Sequence, residues 1–334
     1  MLKLIDKFDR VHDYLRVSLI DRCNLNCFYC NPKKAMAKSM PKKDIMSLEE
    51  LTRMVKIFVV NHGFKKIRFT GGEPMLRKDI MKFFEQIYEI KRHNNFDIGL
   101  TSNGTMLAPK LKRLQDLGLN RINISLDTFD KNKFHYITGH DKIKSVLESI
   151  DEAEYLDFKP LKVNSVIMKG INDNEIIDFV DFAKNRNINV RFIEFMPFGN
   201  NSWQDDKFMS YKDIKNVVED KYNLIAIKGE KNTVAKDYQI DNHIGKVSFI
   251  SSISDHFCST CNRLRVTASG KMKLCLFTNG GHALDFKTMF SERGMSNKEI
   301  SNELAKAVLG KAEKHGAVQE LITFDKNQMM TIGG

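Results

Sequence analysis

No stretch of this sequence stays apolar long enough to span a membrane, and residues 1–10 alternate charge with apolar side chains where a secretory leader needs an uninterrupted apolar run. The expectation is a soluble, cytoplasmic chain. Low-complexity segments and short repeats are also missing, and 42% hydrophobic content over 334 residues is ample for a large core, so disorder does not dominate. Cysteine is scarce and never solitary: the six fall into Cys23, Cys27, Cys30 and Cys258, Cys261, Cys275. Where no leader exports the chain, thiols stay reduced, which makes disulfides the poorer explanation and metal coordination the better one. Base is not scarce. Lys and Arg number 53 against 42 Asp and Glu, a formal charge of +11 that favours polyanionic ligands such as nucleotides or nucleic acid. No basic run interleaved with aromatics accompanies it, so a nucleic-acid surface lacks local support.

From residue 14 to residue 194, short β-branched runs alternate with helical patterns, as in βα units around a parallel sheet. Strands are expected at 14–20, 66–70, 98–102, 121–126, 162–168 and 190–195. Between the first two, Ser47 with Glu50 three residues on forms a capping box that opens a helix, whose stripe of Leu51, Met54, Val55, Phe58 and Val59 is core. A further helix is expected from Pro109 to Gly118. Six such units predict an α/β fold built on an open, partial (β/α)6 barrel of TIM type rather than a closed eightfold one. The pattern changes after Pro197, where 198–207 is a polar loop holding the only tryptophan, Trp203. The boundary placed there separates 1–197 from a smaller α+β region, 198–334. In that region short strands at 224–227, 234–240, 246–250, 264–267 and 272–276 read as a smaller meander, followed by two helical patterns and an apolar tail ending in Gly333 and Gly334.

Cys23, Cys27 and Cys30 follow the first strand in a CxxxCxxC loop. In a parallel barrel such a loop lies on the catalytic face, and three thiolates there can hold three irons of a 4Fe–4S cluster, leaving the fourth open to chelate a cofactor. Structural zinc normally takes four ligands, and His12, the nearest candidate, precedes the strand. Thr70, Gly71, Gly72, Glu73 and Pro74 end the second strand. Alone they make a tight turn; beside the cysteine loop their glycines let the backbone approach a ligand. With these two elements the chain resembles the radical S-adenosylmethionine (SAM) superfamily, in which they bind the cluster and the amino end of SAM.

The second triplet, with two and thirteen residues between its cysteines, serves a zinc site with His256 or His282 as well as it serves an iron–sulfur cluster when read alone. Arg263 and Arg265 follow its second cysteine. The whole pattern is similar, over nearly the full chain, to the GTP 3′,8-cyclase family that opens molybdopterin synthesis. Besides both triplets, the likeness is carried by 122–127, 134–139, 162–173, 191–199, 245–258 and the Gly333–Gly334 pair, with departures at Asn26, Asn31 and His140. The resemblance implies a lyase in which a 5′-deoxyadenosyl radical takes the 3′ hydrogen of GTP and the ribose carbon closes onto guanine C8. It implies two 4Fe–4S clusters held by the two triplets, with SAM met by Tyr29, Gly72, Ser125 and Met196. GTP would meet Arg16, Lys66, Arg68, Thr101, Lys162, Arg191, Arg263, Leu264, Arg265, Gly333 and Gly334, with Arg16, Arg263 and Arg265 catalytic. Arg68, Lys162 and Arg191 also stand out on physical grounds, because a charge within an apolar strand must face solvent or a polar cavity. Thr101 ends a strand in what is otherwise a polar turn. Asp127 and Glu194 are strand-end acids suited either to ribose hydroxyls or to capping. Implied partners are an electron donor such as flavodoxin or ferredoxin and a downstream cyclic pyranopterin monophosphate synthase; a homodimer is allowed, membrane and nucleic acid are not expected. Two other classes compete: another radical SAM enzyme with an auxiliary cluster, such as a peptide maturase, and a zinc-bearing nucleic-acid binder.

Overall fold

The computed structural model describes residues 2–30, 40–198, 201, 203, 205–229, 232–277, 281–318, 320, 321 and 329–332. A short hairpin, β1 (Leu4–Ile5) and β2 (Val11–His12), precedes six strands. These are β3 (Tyr14–Ser18), β4 (Lys66–Thr70), β5 (Asp97–Ser102), β6 (Leu119–Ser125), β7 (Leu161–Ile167) and β8 (Ile188–Glu194), each within two residues of its expected bounds. They pair in parallel, in chain order. Helices α1 (Leu48–Lys56), α2 (Ile80–Arg92), α3 (Leu111–Asp116), α4 (Lys131–Thr138), α5 (Ile143–Tyr155) and α6 (Ile176–Phe182) lie between them.

Local rules account for the ends. The Ser47 hydroxyl accepts from Glu50 N–H at 3.1 Å while the Glu50 carboxylate accepts from Ser47 N–H at 2.7 Å, the expected capping box of α1. The helix expected from Pro109 starts later, because Pro109 sits in a 3-10 turn, Ala108–Lys110, and α3 begins at Leu111. Gly118, at φ +79°, stops it. The outer face of the sheet and these helices share one apolar core in which Phe69 meets the rings of Phe83 and Phe84 edge-on at 5.0 and 5.6 Å. Burying each such ring contributes roughly 1.5–3 kcal/mol.

The later strands are β9 (Leu224–Ala226), β10 (Lys236–Ile240), β11 (Lys246–Ile250), β12 (Arg263–Val266), β13 (Lys271–Lys273) and β14 (Leu284–Asp285), with helices α7 (Tyr211–Glu219) and α8 (Asn297–Leu309). They do not form one meander. β11 pairs in parallel with β8 and carries β10 and β9; β12 pairs in parallel with β3 and carries β13 and β14. Among the described residues the twelve strands β3 to β14 form one open sheet, with eight parallel strands at its centre, and β1 and β2 stand apart. The reason is chemical: both barrel edges offer unpaired backbone groups, and β11 and β12, buried along most of their length, cover them. Among the described residues no helix is long and apolar enough to cross a membrane.

Candidate active site

Along each parallel strand alternate side chains face the concave side, and register decides which of them meet. Arg265, Arg16 and Arg68 are paired neighbours across β12, β3 and β4, and one step down Arg263, Tyr14 and Lys66 form a second row. Further round, Thr101 pairs with Asn123, Asn123 with Lys162, and Asn164 with Arg191. These rows line one cavity of about 1170 Å³. Among the described residues ten Lys and Arg side chains border it against four Asp, so it suits an anion rather than a neutral or cationic ligand.

Both cysteine triplets open into this cavity. Cys23, Cys27 and Cys30 lie beyond the C-terminal end of β3, whereas Cys258 and Cys261 come just before β12, which runs parallel to β3 with Arg263 level with Tyr14. The triplets therefore occupy opposite ends of the strand pair, separated by a strand length of roughly 13 Å plus the loops. The rows of cations and polar groups lie between.

The first triplet is packed against the Gly-Gly turn. Gly72 N–H donates to Ile20 O and Glu73 N–H to Arg22 O, both at 2.7 Å. A side chain at Gly72 would run into the Arg22 carbonyl and come 2.9 Å from Cys23 N, so only glycine lets the two loops lie side by side. Glu73 is fully buried and accepts from Met75 N–H (3.0 Å), Asn103 N–H (2.8 Å) and the Ser102 hydroxyl (2.9 Å). This holds Asn103 in place. Its amide donates to the Cys23 sulfur at 3.5 Å, where Leu25 N–H also donates at 3.4 Å. Burial, then Asp127, then the neighbouring thiols Cys30 and Cys23 push the Cys27 thiol well above its usual range. A bound cationic iron centre would reverse that balance, so the donor set fits a cluster coordinated by thiolates. Tyr29 donates to Asp127 at 2.6 Å, and burial lifts that carboxyl to about 6 despite the Tyr29 and Val166 hydrogen bonds.

At the other end Arg263 lies 3.6 Å from the Cys261 sulfur and its guanidinium sits over the Phe257 ring. Burial raises the Cys261 thiol, but Arg263 and Lys311 outweigh it and bring the group to about 6, ready to ligate as thiolate. Among the described residues no three His, Cys, Asp or Glu side chains converge tightly on a single ion. The thiols of each triplet instead border the cavity, close enough to feel one another's charge.

Between the ends Arg68 and Arg265 are buried, and Arg16, Lys66, Lys162, Arg191 and Arg263 are half-buried. Desolvation, with Tyr14 opposing and Arg68 and Arg263 reinforcing, lowers Arg16 to about 10; desolvation and Arg68 do the same for Arg191. Lys162 falls to about 7 through burial, then Arg191 and Arg68. Burial alone would raise Tyr14, yet Arg68 and Arg16 draw it down to about 7. Arg68 donates to the Tyr14 hydroxyl at 2.8 Å and to Leu100 O at 3.0 Å, lying across Gly99, where a side chain would come within 2.9 Å of its guanidinium. Thr101 Oγ1, Asn123 Oδ1, Asn164 Oδ1 and Arg191 Nε are buried on the wall with no hydrogen-bond partner among the described residues. Each such atom costs roughly 1–3 kcal/mol unless something polar meets it.

Of the residues expected at the site, Arg16, Tyr29, Lys66, Arg68, Gly72, Thr101, Ser125, Lys162, Arg191, Met196, Arg263, Arg265 and all six cysteines border the one cavity. Leu264 alternates to the other side and its side chain is fully buried in the core, so it offers the cavity main chain only. Gly333, Gly334 and Asn31 lie outside the described residues. Glu194 is a structural acid: it accepts from Tyr211 N–H, Ile253 N–H and Ser254 N–H, tying β8 to α7 and to the loop after β11. Asn123 and Asn164 were not anticipated, although each stands two residues from an expected one, Ser125 and Lys162, on the same strand face.

Residues 17–183 match the family model described as the radical SAM superfamily, and residues 188–317 match Molybdenum Cofactor Synthesis C. A GTP 3′,8-cyclase of Thermodesulfovibrio yellowstonii is 42% identical over 332 residues, 98% of this chain and 99% of that one. Molybdenum cofactor biosynthesis protein 1 of Dictyostelium discoideum is 42% identical over 334 residues, covering 99% of this chain, which spans about half (52%) of that longer relative. Among solved structures, Streptococcus suis SuiB bound to S-adenosylmethionine aligns with a TM-score of 0.61 over 97% of this chain and 79% of that one; at 13% identity the likeness is one of fold. With half the chain matched by the superfamily model and a full-length relative at 42% identity, the chain belongs to the radical SAM superfamily and, within it, to the GTP 3′,8-cyclase family of molybdenum cofactor biosynthesis.

Proposed function

We propose that the chain carries out the reaction for which its family is named, cyclising GTP between the ribose 3′ carbon and guanine C8. The observation that carries this reading is the cavity with a thiol triplet at each end and buried or half-buried cations between. As a radical SAM enzyme the protein uses SAM and an iron–sulfur cluster. The finer reading is two 4Fe–4S clusters, one per triplet, with residues 1–197 forming the radical SAM barrel and 198–334 carrying the auxiliary cluster, and with GTP met by residues of both. Cys23, Cys27 and Cys30 would hold the cluster and Tyr29, Gly72, Ser125 and Met196 would hold SAM, whose one-electron reduction by the cluster would supply the 5′-deoxyadenosyl radical needed to take the 3′ hydrogen of GTP.

The chain's own residues bind and orient. Arg68, Lys162 and Arg191 offer forks and a point charge to a triphosphate, and ligand oxygens would satisfy the Arg191 Nε and Thr101 Oγ1 left without partners. Arg263 and Arg265, beside the second triplet, hold the base end, so that the ribose is directed toward the first. Arg68 and Arg265 on the wall are only 8% and 5% exposed, so a nucleotide seated against them would leave little water beside a carbon radical. Electrons arrive from a flavodoxin- or ferredoxin-type donor and the product passes to a cyclic pyranopterin monophosphate synthase.

GTP deuterated at C3′, incubated anaerobically with protein, SAM and reductant, should deliver its label to 5′-deoxyadenosine, and unlabelled 5′-deoxyadenosine would overturn the proposal. Replacing Cys23, Cys27 and Cys30 by alanine should remove about half the iron and all SAM cleavage. Replacing Cys258, Cys261 and Cys275 should instead spare SAM cleavage but weaken GTP binding.

A further inference from the structure

One buried charged network takes no part in the chemistry above. It lies in the β1–β2 hairpin, where Asp6, Arg10 and His12 are all buried. One Asp6 oxygen accepts from Phe8 N–H (2.9 Å) and Arg10 N–H (3.1 Å); the other accepts from Arg10 Nε (2.6 Å) and meets His12 Nε2 at 3.0 Å. So anchored, the Arg10 guanidinium reaches three main-chain carbonyls. Nη1 donates to Cys258 O and Glu313 O, both at 2.8 Å, and Nη2 donates to Ala312 O at 2.7 Å. Two segments far apart in sequence, the cysteine loop and 311–315, are thus fixed by one side chain. The second of these lies against the thiols. Lys311, 3% exposed, brings Nζ to 3.6 Å from the Cys261 sulfur and donates to Arg263 O at 2.7 Å, while the His315 main chain hydrogen-bonds the Cys258 thiol.

We infer that Arg10, held by Asp6, is a positioning residue for the second cysteine triplet. It fastens 311–315 over Cys258 and Cys261, so that the Lys311 ammonium and the His315 main chain reach the two sulfurs. The inference rests on the reading that this triplet holds an iron–sulfur cluster. Three features support it. A buried ion pair adds little stability over apolar packing, so its use here points to orientation. A guanidinium's planar fork can gather several carbonyls where a lysine's single point charge cannot. Residues 311–315 have no helix or strand of their own to set their course after α8.

The test uses the full chain with Cys23, Cys27 and Cys30 replaced by alanine, where iron reports on the second triplet alone. After anaerobic reconstitution with iron and sulfide, Arg10→Gln and Asp6→Asn should surrender iron to a chelator about tenfold faster than that parent, as loss of a supporting partner does elsewhere. Arg10→Lys should fail to rescue. Lys311→Met should keep its iron but shift the cluster's midpoint potential and EPR signal. In the reciprocal chain, lacking Cys258, Cys261 and Cys275, Arg10→Gln should leave iron retention unchanged. Chelation rates equal to the parent's overturn the inference, and so does equal loss from both triplets, which would make Arg10 a general structural residue. Should Arg10→Gln not fold, the unaltered potential of Lys311→Met would overturn it instead. A parent that binds no iron refutes the cluster reading itself, a result distinct from any of these.

Discussion

Lys162 condenses the electrostatics of the cavity into one side chain. Burial, then Arg191 and Arg68, hold it at about 7 in the ligand-free protein, so it is charged below that pH and neutral above. A triphosphate requires the charged form, and above pH 7 binding must also take up a proton. GTP affinity should therefore fall as pH rises from about 6 to 8, approaching tenfold per unit on the alkaline side. Tyr14, also at about 7, adds negative charge over the same interval and reinforces the trend. Lys162→Arg, charged throughout, should flatten the profile to what Tyr14 and the nucleotide contribute; calorimetric titrations at several pH values measure it, and parallel profiles for the two proteins would remove Lys162 from the binding step.

At the scale of elements, two glycines, one in the turn after β4 and one in the neighbouring strand β5, make opposite predictions. At Gly72 an added methyl group meets the backbone of Arg22 and Cys23, which cannot give way. Gly72→Ala should lose iron from the first triplet. At Gly99 it meets the far end of Arg68, which can swing aside at the expense of its bonds to Tyr14 and Leu100. Gly99→Ala should fold and load iron normally but bind GTP roughly 3–10-fold more weakly, the loss of one or two charge-assisted hydrogen bonds. Iron content and GTP affinity read on both variants separate the cases. The same elements mark how far sequence reasoning reached. Strands β3 to β8 were legible because period-two alternation and β-branching are local signals, and the cysteines and strand cations because each would be costly anywhere else. The hairpin β1–β2 was not, since two residues per strand carry no period. Asn123 and Asn164 escaped notice because an amide in a strand raises less alarm than a charge. The pairing of β12 with β3 left no local trace at all: parallel pairing between distant segments is a tertiary choice.

That choice governs the whole molecule. Arg265 stands beside Arg16, and the second triplet beside the wall that leads to the first, only because β12 seals the β3 edge as β11 seals that of β8. A chain ending at residue 255 keeps every barrel strand and β11 but leaves β3 open. Such a truncation should associate into large species on size-exclusion chromatography, through pairing of exposed edges, and a clean monomer would show that the edge is protected in some other way.

Synthesis on the ribosome imposes this condition on every copy, for a time. From Ser18 to Arg263 the chain grows by 245 residues, which at about 5–20 residues per second occupies roughly 12–50 s, whereas a hairpin closes in microseconds. Throughout that interval the CxxxCxxC loop already exists while one wall of its chamber is still being translated. Its three thiols meet the surrounding solution, with whatever oxygen and stray metals it holds, before the protein has an interior in which to keep them.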